Sequence, residues 1–537
     1  MFRDFTLDGR AASRAESVYV WPAALLILVA ASIPVWMFEI PALGDYVNHV
    51  TRMYALAHLD QDPALAQFYM VRWAIIPNLV MDIVVPPLAK LIGVHTASRL
   101  FVTASYLVLV TGSIALYRAV WGRVELGPLA AGLFLYTLST YMGLFNYLFG
   151  LGLALWGIAG WIVMRERAPW QRGLASLGIV LLLFISHLFA LGLYGLTLLA
   201  FEGWRLWQSG GWREPRRALP DALAFGLPFL IVPPLLLMSP SSGFADAVLW
   251  VGTAKLMGFD FLFGGYADTV GYVTGIAVGL GIAWGLWSGA LRLHPVGAIT
   301  IGLGLVVYAA MPLVLFGSWF ADSRLPIGIA FVALGFVRWE LATSAMRAGF
   351  LAVVVALSLL RSADAGVGLA KVDPLLEEVR QSLQRIEPGS TVLATYADET
   401  LHKSIFRATQ FTDDRALSFG LHHAPVLALM ERSSLVPIAF THPGKQVLLL
   451  KPDYADLDGD FTYMPRIGYV ADAVRQPGLR DNHYWADWPR RFGYVYVLFS
   501  EPGRANPVPE HLTLVQEGRD ISRATENGRG ARARHPP

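Results

Sequence analysis

The sequence predicts a polytopic α-helical membrane protein of about eleven spans that ends in a soluble C-terminal α/β or α+β domain. Of its 537 residues, 55% are hydrophobic and only 15% are charged, and the mean hydropathy is +0.49. The apolar residues arrive in repeated blocks of roughly twenty, the length that crosses a hydrocarbon core. After Arg361 the composition shifts to acids, prolines and short β-rich runs, which is typical of a water-soluble domain.

The first apolar run starts at Val18 and reads VYVWPAALLILVAASIPVWMF. It is longer than the hydrophobic region of a typical signal peptide and lacks a clear A-x-A cleavage site, so we interpret it as a retained first helix. Further apolar runs of spanning length lie near 98–117, 125–142, 145–164, 173–187, 188–206, 218–238, 270–291, 296–317, 325–338 and 347–362.

The segment 72–92 is apolar enough to be counted as a span, but it carries Pro77, Asn78, Asp82 and a Pro86-Pro87 pair. The distribution of arginines favours a segment that does not cross, because short loops on the cytoplasmic side are enriched in Lys and Arg. With 72–92 lying in or dipping into the interface, the loop arginines fall on the side of the N-terminus. These are Arg118, Arg123, Arg165, Arg167, Arg172, Arg205, Arg213, Arg216, Arg217, Arg292, Arg338 and Arg347.

This topology divides the protein into a transmembrane domain, 1–362, and a C-terminal domain, 363–515, that the odd number of spans places outside the cytoplasm. The transmembrane domain contains a large first outer loop, 39–97. The runs TVLATYA, KQVLLLK and FGYVYVLFS predict strands in the C-terminal domain. The remaining residues, 516–537, are polar and rich in Gly and Arg, and we expect them to be disordered.

Charge and cysteine content exclude several classes of function. A net charge of +2, with the basic residues scattered through loops, gives no basic surface for nucleic acid. The protein has no cysteine, so it has no disulfide, thiolate metal site or cysteine nucleophile. Any metal ion must be held by oxygen or histidine ligands.

The stretch PALGDYVNHVTRMYAL, directly after the first span, holds the strongest candidate site. A helix that begins at Asp45 places His49 one turn on and Arg52 almost two turns on, so the three side chains form one stripe. One interpretation makes Asp45 a helix cap, His49 an interfacial polar residue and Arg52 a contact to lipid headgroups. The other makes Asp45 a carboxylate base beside cationic partners that face an anionic substrate.

Asp82 and His187 are further positions with polar groups where burial is costly. Asp82 has apolar neighbours and needs a cationic partner, which Arg72 or Arg99 could supply. His187 interrupts a long apolar stretch, where it either turns a helical hairpin at the outer face or reaches a cavity.

The loop GSWFADSRLP carries Asp322 and Arg324 directly before a span. The guanidinium of Arg324 suits phosphate, because it offers a planar fork of donors. The alternative for this loop is a salt bridge between Arg324 and Asp322 at the helix end.

Taken together, the motifs GDYVNHVTR, FNYLFGLGL, SHLFALGL and DSRLP resemble those of GT-C superfamily membrane glycosyltransferases, over roughly residues 1–340. The resemblance implies a GT-C-like helical bundle with the catalytic acid of the first outer loop at Asp45 and the donor-phosphate arginine at Arg324. The paired acids common in the family are absent here, since the second position after Asp45 is Val47. This departure leaves metal dependence open and allows His49 or Asp82 to take over part of the role.

The function implied by the resemblance is transfer of a sugar from a polyprenyl-phosphate donor to an extracytoplasmic glycan, lipid or protein acceptor by a single inverting displacement. The protein would be a multi-pass enzyme of the bacterial inner (plasma) membrane with its active site and C-terminal domain on the periplasmic side. The resemblance identifies no cofactor with certainty, and a divalent metal is compatible with the chemistry. The partners are membrane lipid and the lipid-linked sugar. The candidate catalytic residue is Asp45, and the candidate substrate-binding residues are His49, Arg52, Asp82, His187, Asp322 and Arg324.

Other classes remain open from the sequence. A membrane transporter or lipid flippase would also place polar residues in a helical bundle, but it predicts internal repeats and charges near the bilayer midplane. A lipid-carrier glycan ligase or polymerase would use the same donor with Arg and His of outer loops. A non-catalytic assembly partner would act through its outer domain.

The predicted topology can be tested with reporter fusions. We expect a reporter fused after Arg361 to be active only in the periplasm and one fused at Arg213 only in the cytoplasm, because the loop arginines mark the cytoplasmic side. A cytoplasmic signal from the Arg361 fusion would mean that 72–92 crosses the membrane.

Overall fold

A computed structural model describes residues 7–397, 420–459, 464–476, 478, 483–499, 505–517 and 522–527. The α-helices of these residues are α1 (Leu7–Met37), α2 (Tyr46–His58), α3 (Pro63–Phe68), α4 (Val80–Ile92), α5 (Val94–Trp121), α6 (Leu138–Tyr141), α7 (Phe145–Val163), α8 (Pro169–Ser186), α9 (Leu188–Ser209), α10 (Pro215–Gly226), α11 (Val232–Met238), α12 (Gly258–Phe263), α13 (Asp268–Ser288), α14 (Pro295–Ala310), α15 (Arg324–Phe336), α16 (Ser344–Leu383), α17 (Leu427–Arg432), α18 (Ile467–Arg475) and α19 (Trp488–Arg491). The strands are β1 (Tyr69–Val71), β2 (Leu291–Leu293), β3 (Val337–Trp339), β4 (Val392–Tyr396), β5 (Leu448–Leu450), β6 (Tyr494–Leu498), β7 (Leu512–Glu517) and β8 (Ser522–Asn527).

Helices long and apolar enough to cross a membrane number seven in the described part of the protein, fewer than the eleven or so expected. They are Val18–Met37, Val94–Trp121, Phe145–Glu166, Pro169–Ser186, Pro215–Met238, Asp268–Ser288 and Ser344–Leu383. The shorter apolar helices α14 and α15 have 16 and 13 residues, below the roughly 20 that a straight span needs. The segment 72–92 contributes only α4, with 13 residues, and is not among the seven.

The expected span at 125–142 is not a single helix. A 3₁₀ helix covers Gly127–Phe134, and α6 has only four residues. Between them Thr137 has an extended backbone, and the backbone oxygen of Tyr136 accepts a hydrogen bond from the Arg361 guanidinium. The extended backbone of Thr137 interrupts the helix here, and the guanidinium provides the Tyr136 oxygen with a hydrogen-bond donor.

The first of two compact units comprises residues 1–36, 75–81 and 100–366. Within it, α7 packs against α8 and α9, and its glycines allow close approach. A Cβ added at Gly152 would lie 2.7 Å from the backbone carbonyl carbon of Val108 on α5. A Cβ at Gly157 would lie 2.7 Å from Ile179 Cγ2 on α8. Gly160, on the same helix, has nothing within 4 Å of an added Cβ.

The second unit comprises residues 37–74, 82–99 and 367–537, so most of the first outer loop belongs with the C-terminal part of the protein. This grouping differs from the expected division at 362/363, which falls inside the continuous helix α16. Strand β1 of the loop pairs antiparallel with β5, with Tyr69 opposite Leu450. Two flanking backbone hydrogen bonds, Arg72 N to Val447 O and Lys451 N to Phe68 O, are both 2.8 Å long.

A four-stranded mixed sheet with the order β4-β6-β8-β7 lies in the second unit. Strands β4 and β6 are parallel, and β8 is antiparallel to both β6 and β7. The strands predicted from TVLATYA, KQVLLLK and FGYVYVLFS are found as β4, β5 and β6. Part of the range expected to be disordered, 516–537, forms the end of β7 and all of β8. Pairing with β6 gives the backbone groups of β8 hydrogen-bond partners, which stabilises the strand. The rest of the range, 518–521 and 528–537, lies outside the described residues.

Two glycine-to-alanine variants on α7 test the packing of the first unit. Gly152→Ala should lower the melting temperature in detergent, because overpacking against fixed backbone costs roughly 1–3 kcal/mol. Gly160→Ala, in open space on the same helix, should be neutral or raise it, because alanine is favoured over glycine in a helix by up to about 1 kcal/mol. Equal effects of the two variants would contradict the described packing of α7 on α5.

Candidate active site

Asp45 precedes α2 without capping it. Its backbone is already helical, with φ −65° and ψ −10°, and its side chain makes no capping hydrogen bond. The carboxylate instead lies next to a histidine from the C-terminal part of the protein, with Asp45 Oδ1 3.3 Å from His423 Nε2. The Asp45 side chain retains 27% of its exposure. Both features fit a carboxylate held for chemistry better than the capping role considered from the sequence.

Asn48, one turn along α2, fixes the surroundings of that histidine. Its Oδ1 accepts a hydrogen bond from Phe440 N at 2.8 Å, and its Nδ2 donates to Ile438 O at 2.9 Å. The same Nδ2 lies 3.2 Å from His423 Nδ1. The fully buried carboxamide thus connects α2 to the segment 438–440 and to His423.

Arg52 and Asp82 form a buried ion pair, with Arg52 Nη2 2.9 Å from Asp82 Oδ2 and side-chain exposures of 1% and 0%. The expected partners of Asp82, Arg72 and Arg99, were wrong. Burial raises the pKa of the Asp82 carboxyl, and the guanidinium beside it opposes that rise. The Arg52 guanidinium carbon also lies 5.6 Å from the centre of the Phe440 ring.

His49 packs edge-on against Phe440, with ring centres 5.2 Å apart. Burial, with the nearby charge of Arg52, lowers the pKa of the His49 imidazole to about 3, and Asp45 only partly opposes this. His49 is therefore uncharged at neutral pH. Of the two cationic partners that the sequence suggested for Asp45, only Arg52 carries a charge.

The stripe predicted on α2 is present, since His49 and Arg52 contact the same Phe440 ring that packs on His423 at 5.5 Å. Several buried atoms of this cluster have no hydrogen-bond partner among the described residues: His49 Nδ1, Arg52 Nε, Arg52 Nη1 and Asp82 Oδ1. Unsatisfied buried donors are costly, and two of them belong to one guanidinium. They suit the oxygens of an anionic ligand.

The other predicted site residues lie in the first unit. His187 is the single residue between α8 and α9, and its Nδ1 accepts a hydrogen bond from Phe189 N at 3.2 Å, so it turns the hairpin as one interpretation expected. Its ring packs edge-on against Tyr147 at 5.4 Å.

Arg324 is the first residue of α15 and contacts residues of α7, of α9 and of the loop before its own helix. Its guanidinium carbon lies 5.2 Å from the Phe189 ring centre, its Nη1 donates to Trp319 O at 3.0 Å, and its backbone oxygen accepts a hydrogen bond from the Tyr147 hydroxyl. Asp322 bonds Lys255 instead of forming the helix-end bridge considered for Arg324, with Lys255 Nζ 2.7 Å from Asp322 Oδ2.

Sequence reasoning missed His423, Asn48, Phe440 and Lys255 as parts of these clusters. His423 and Asn48 are 375 residues apart, and no local spacing signals such a contact. Asn48 could have been suspected as part of the site, because its carboxamide lies beside the predicted stripe on α2 and a buried carboxamide needs hydrogen-bond partners. Within the described residues, no group of three or more histidine or acidic side chains is arranged to hold a metal ion.

Two solved structures match the protein over nearly its whole length. ArnT from Cupriavidus metallidurans bound to undecaprenyl phosphate matches with a TM-score of 0.43 and 12% identity, covering 93% of this protein and 97% of that one. The apo state of the same ArnT matches with a TM-score of 0.45 and 13% identity, covering 95% and 98%. At these TM-scores and identities neither a common reaction nor a common site follows from the match.

No protein-family model matches the sequence, and no curated protein sequence matches it.

The Arg52–Asp82 pair can be tested by its effect on stability. Arg52→Met should destabilise the protein by roughly 3–5 kcal/mol, because it leaves a buried carboxyl without its cation. The double variant Arg52→Met/Asp82→Leu should recover most of the loss, because two apolar side chains leave no buried charge. The measurement is thermal unfolding of the purified protein in detergent, and additive losses in the double variant would contradict the pairing.

Proposed function

We propose that this protein is a membrane glycosyltransferase that moves a sugar from a polyprenyl-phosphate donor to an extracytoplasmic acceptor. The observation that carries the proposal is the carboxylate of Asp45, which leads α2 without capping it and faces His423 in a cluster of otherwise buried polar groups. The GT-C-like motifs of the sequence place the catalytic acid at the same residue.

Asp45 serves as the base of a single inverting displacement. The acceptor hydroxyl oxygen attacks the anomeric carbon while the bond from that carbon to the phosphate oxygen breaks. The proton of the hydroxyl passes to Asp45, and the bond electrons leave with the lipid phosphate. Since a phosphate leaving group is already a weak base, no general acid is required.

The Arg52–Asp82 pair offers hydrogen-bond donors to the phosphate of the donor substrate. The ion pair fixes one guanidinium nitrogen, and Nε and Nη1 have no hydrogen-bond partner among the described residues. A phosphate oxygen would satisfy these donors. His49, which is neutral, can exchange hydrogen bonds with hydroxyl groups without adding charge.

Arg324 is proposed to bind the donor phosphate from the first unit. It occupies the first position of α15, where the helix dipole favours an anion, and its guanidinium is braced by Trp319 O and the Phe189 ring. His187 then supports Arg324 through Phe189, and Asp322, two residues before Arg324, is paired with Lys255.

The remaining assignments follow from the same proposal. The protein resides in the bacterial inner membrane with Asp45 and the C-terminal domain in the periplasm, and its partners are the lipid-linked sugar and a glycan, lipid or protein acceptor. A transporter is less well supported, because Asp45, His49, Arg52 and Asp82 lie in segments that are not candidate spans.

Asp45→Asn tests the base directly. Asparagine keeps the size of the side chain but cannot accept the proton, so transfer from a polyprenyl-phosphate sugar should be abolished with little change in expression or melting temperature. Asp60→Asn is the matched control, because Asp60 is exposed and paired with Lys90. Wild-type transfer by Asp45→Asn would remove Asp45 as the base and make Asp82 the next carboxylate to test.

Arg324 variants test the donor-phosphate role separately. Arg324→Ala should lower the transfer rate roughly 10²-fold, and Arg324→Lys should keep partial activity, because lysine retains the charge but loses the planar fork. Arg347→Ala, which removes another guanidinium bonded to backbone oxygens, controls for general loss of arginine contacts. Wild-type rates in both Arg324 variants would assign Arg324 to structure.

A further inference from the structure

We infer that His423 is the positioning residue of Asp45, held in a single tautomer by Asn48 so that its Nε2–H faces the carboxylate. The inference rests on the proposed role of Asp45 as base. It adds a function for the C-terminal part of the protein, which supplies His423 and the backbone of 438–440.

The orientation of the Asn48 carboxamide is unambiguous. A backbone N–H can only donate and a backbone C=O can only accept, so the bonds to Phe440 N and Ile438 O identify Oδ1 and Nδ2. Nδ2 carries two hydrogens. One binds Ile438 O, and the other is directed to His423 Nδ1 at 3.2 Å.

This orientation determines the tautomer of His423. Because Nδ2 of Asn48 can only donate, Nδ1 of His423 must accept, and the ring hydrogen of the neutral imidazole resides on Nε2. Nε2 is the nitrogen 3.3 Å from Asp45 Oδ1. This contact is long, as catalytic hydrogen bonds often are before substrate binds.

The reverse arrangement of the ring hydrogen conflicts with the same geometry. A hydrogen on Nδ1 would point at the N–H donors of Asn48, and turning the carboxamide over would break both bonds to the backbone. Nε2 is therefore the nitrogen that presents a hydrogen to the Asp45 carboxylate.

The charged and titratable groups around His423 come from several elements. Asp45 and His49 lie at the start of α2, Arg52 lies one turn further and is paired with Asp82 of α4, and His422 packs against the His423 ring at 4.9 Å. Arg52 is thus held by its own partner, Asp82.

For Asp45, the consequence is a fixed orientation. The imidazole beside one carboxylate oxygen directs the other oxygen elsewhere. A base held in one rotamer meets the acceptor hydroxyl more often in the reactive geometry.

The tautomer can be measured without any assay of activity. In protein labelled with ¹⁵N at histidine, the His423 signal is identified by its loss in His423→Phe, and its two nitrogen shifts should show Nε2 protonated and Nδ1 bare. Asn48→Asp should move the proton to Nδ1, because a carboxylate can only accept. A wild-type signal with Nδ1 protonated, or no change in Asn48→Asp, would overturn the inference.

The positioning role is measured by kinetics of sugar transfer. We expect His423→Phe to lower kcat roughly 10- to 100-fold with KM little changed. His423→Gln should recover part of kcat, because its amide can still donate to Asp45. His442→Phe is the matched control, since His442 pairs with Asp458 at 2.6 Å in the same unit.

The outcomes separate the two proposals. Absence of transfer in the wild type would refute the glycosyltransferase proposal and leave the tautomer to be judged by NMR alone. Transfer by the wild type with an unchanged kcat in His423→Phe would refute the positioning role. Equal losses in His423→Phe and His442→Phe, with lowered melting temperatures in both, would also refute it, because they would assign the effect to folding of the unit.

Discussion

The Asn48 carboxamide is the contact on which the geometry of the second unit's cluster depends. It bonds the backbone on both sides of Ala439, some 390 residues away along the sequence, and reaches His423 as well. The carboxamide is fully buried, so these bonds take the place of hydrogen bonds to water. Without it, neither the Phe440 ring nor the His423 imidazole would have a fixed position relative to Asp45. The pairing of β1 with β5 joins the same two parts of the protein at a second point.

Helix α2 turns its polar residues inward. Asn48, His49, Thr51 and Arg52 are all buried, although charged and amide side chains are seldom fully buried unless they are paired. Asp82 pairs with Arg52, and backbone groups pair with Asn48, but parts of His49, Arg52 and Asp82 lack partners among the described residues. Apolar residues in place of these polar side chains would leave no unsatisfied buried atoms and would cost less in folding stability than the present arrangement. This cost in stability is consistent with the proposed role of these groups in a site for an anionic, hydroxyl-bearing substrate.

The first unit uses different means to hold Arg324. Its helices approach closely through glycines, and the extended residue His187 lets α8 and α9 meet with almost no loop. The Phe189 ring, at the start of α9, packs on the Arg324 guanidinium, and the Tyr147 hydroxyl of α7 donates a hydrogen bond to the Arg324 backbone oxygen. The Trp319 carbonyl accepts a hydrogen bond from one nitrogen of the guanidinium. Asp322, two residues away, is bonded to Lys255. The Phe189 ring and the Trp319 carbonyl therefore orient the guanidinium at the start of α15.

The sequence by itself determined the class of structure, because hydrophobic runs and strand patterns depend on neighbouring residues. The runs predicted the helices at Val18, 98–117 and 145–164, and the β-rich segments predicted β4, β5 and β6. The stripe of Asp45, His49 and Arg52 also followed from helical periodicity alone. Tertiary structure decided what each polar group meets. Asp82 bonds Arg52 and not Arg72 or Arg99, Asp322 bonds Lys255 and not Arg324, and Asp45 faces a histidine from the far end of the sequence. Such pairings depend on which segments pack together, and a buried charge binds whichever partner the packing brings near it, at whatever distance along the sequence.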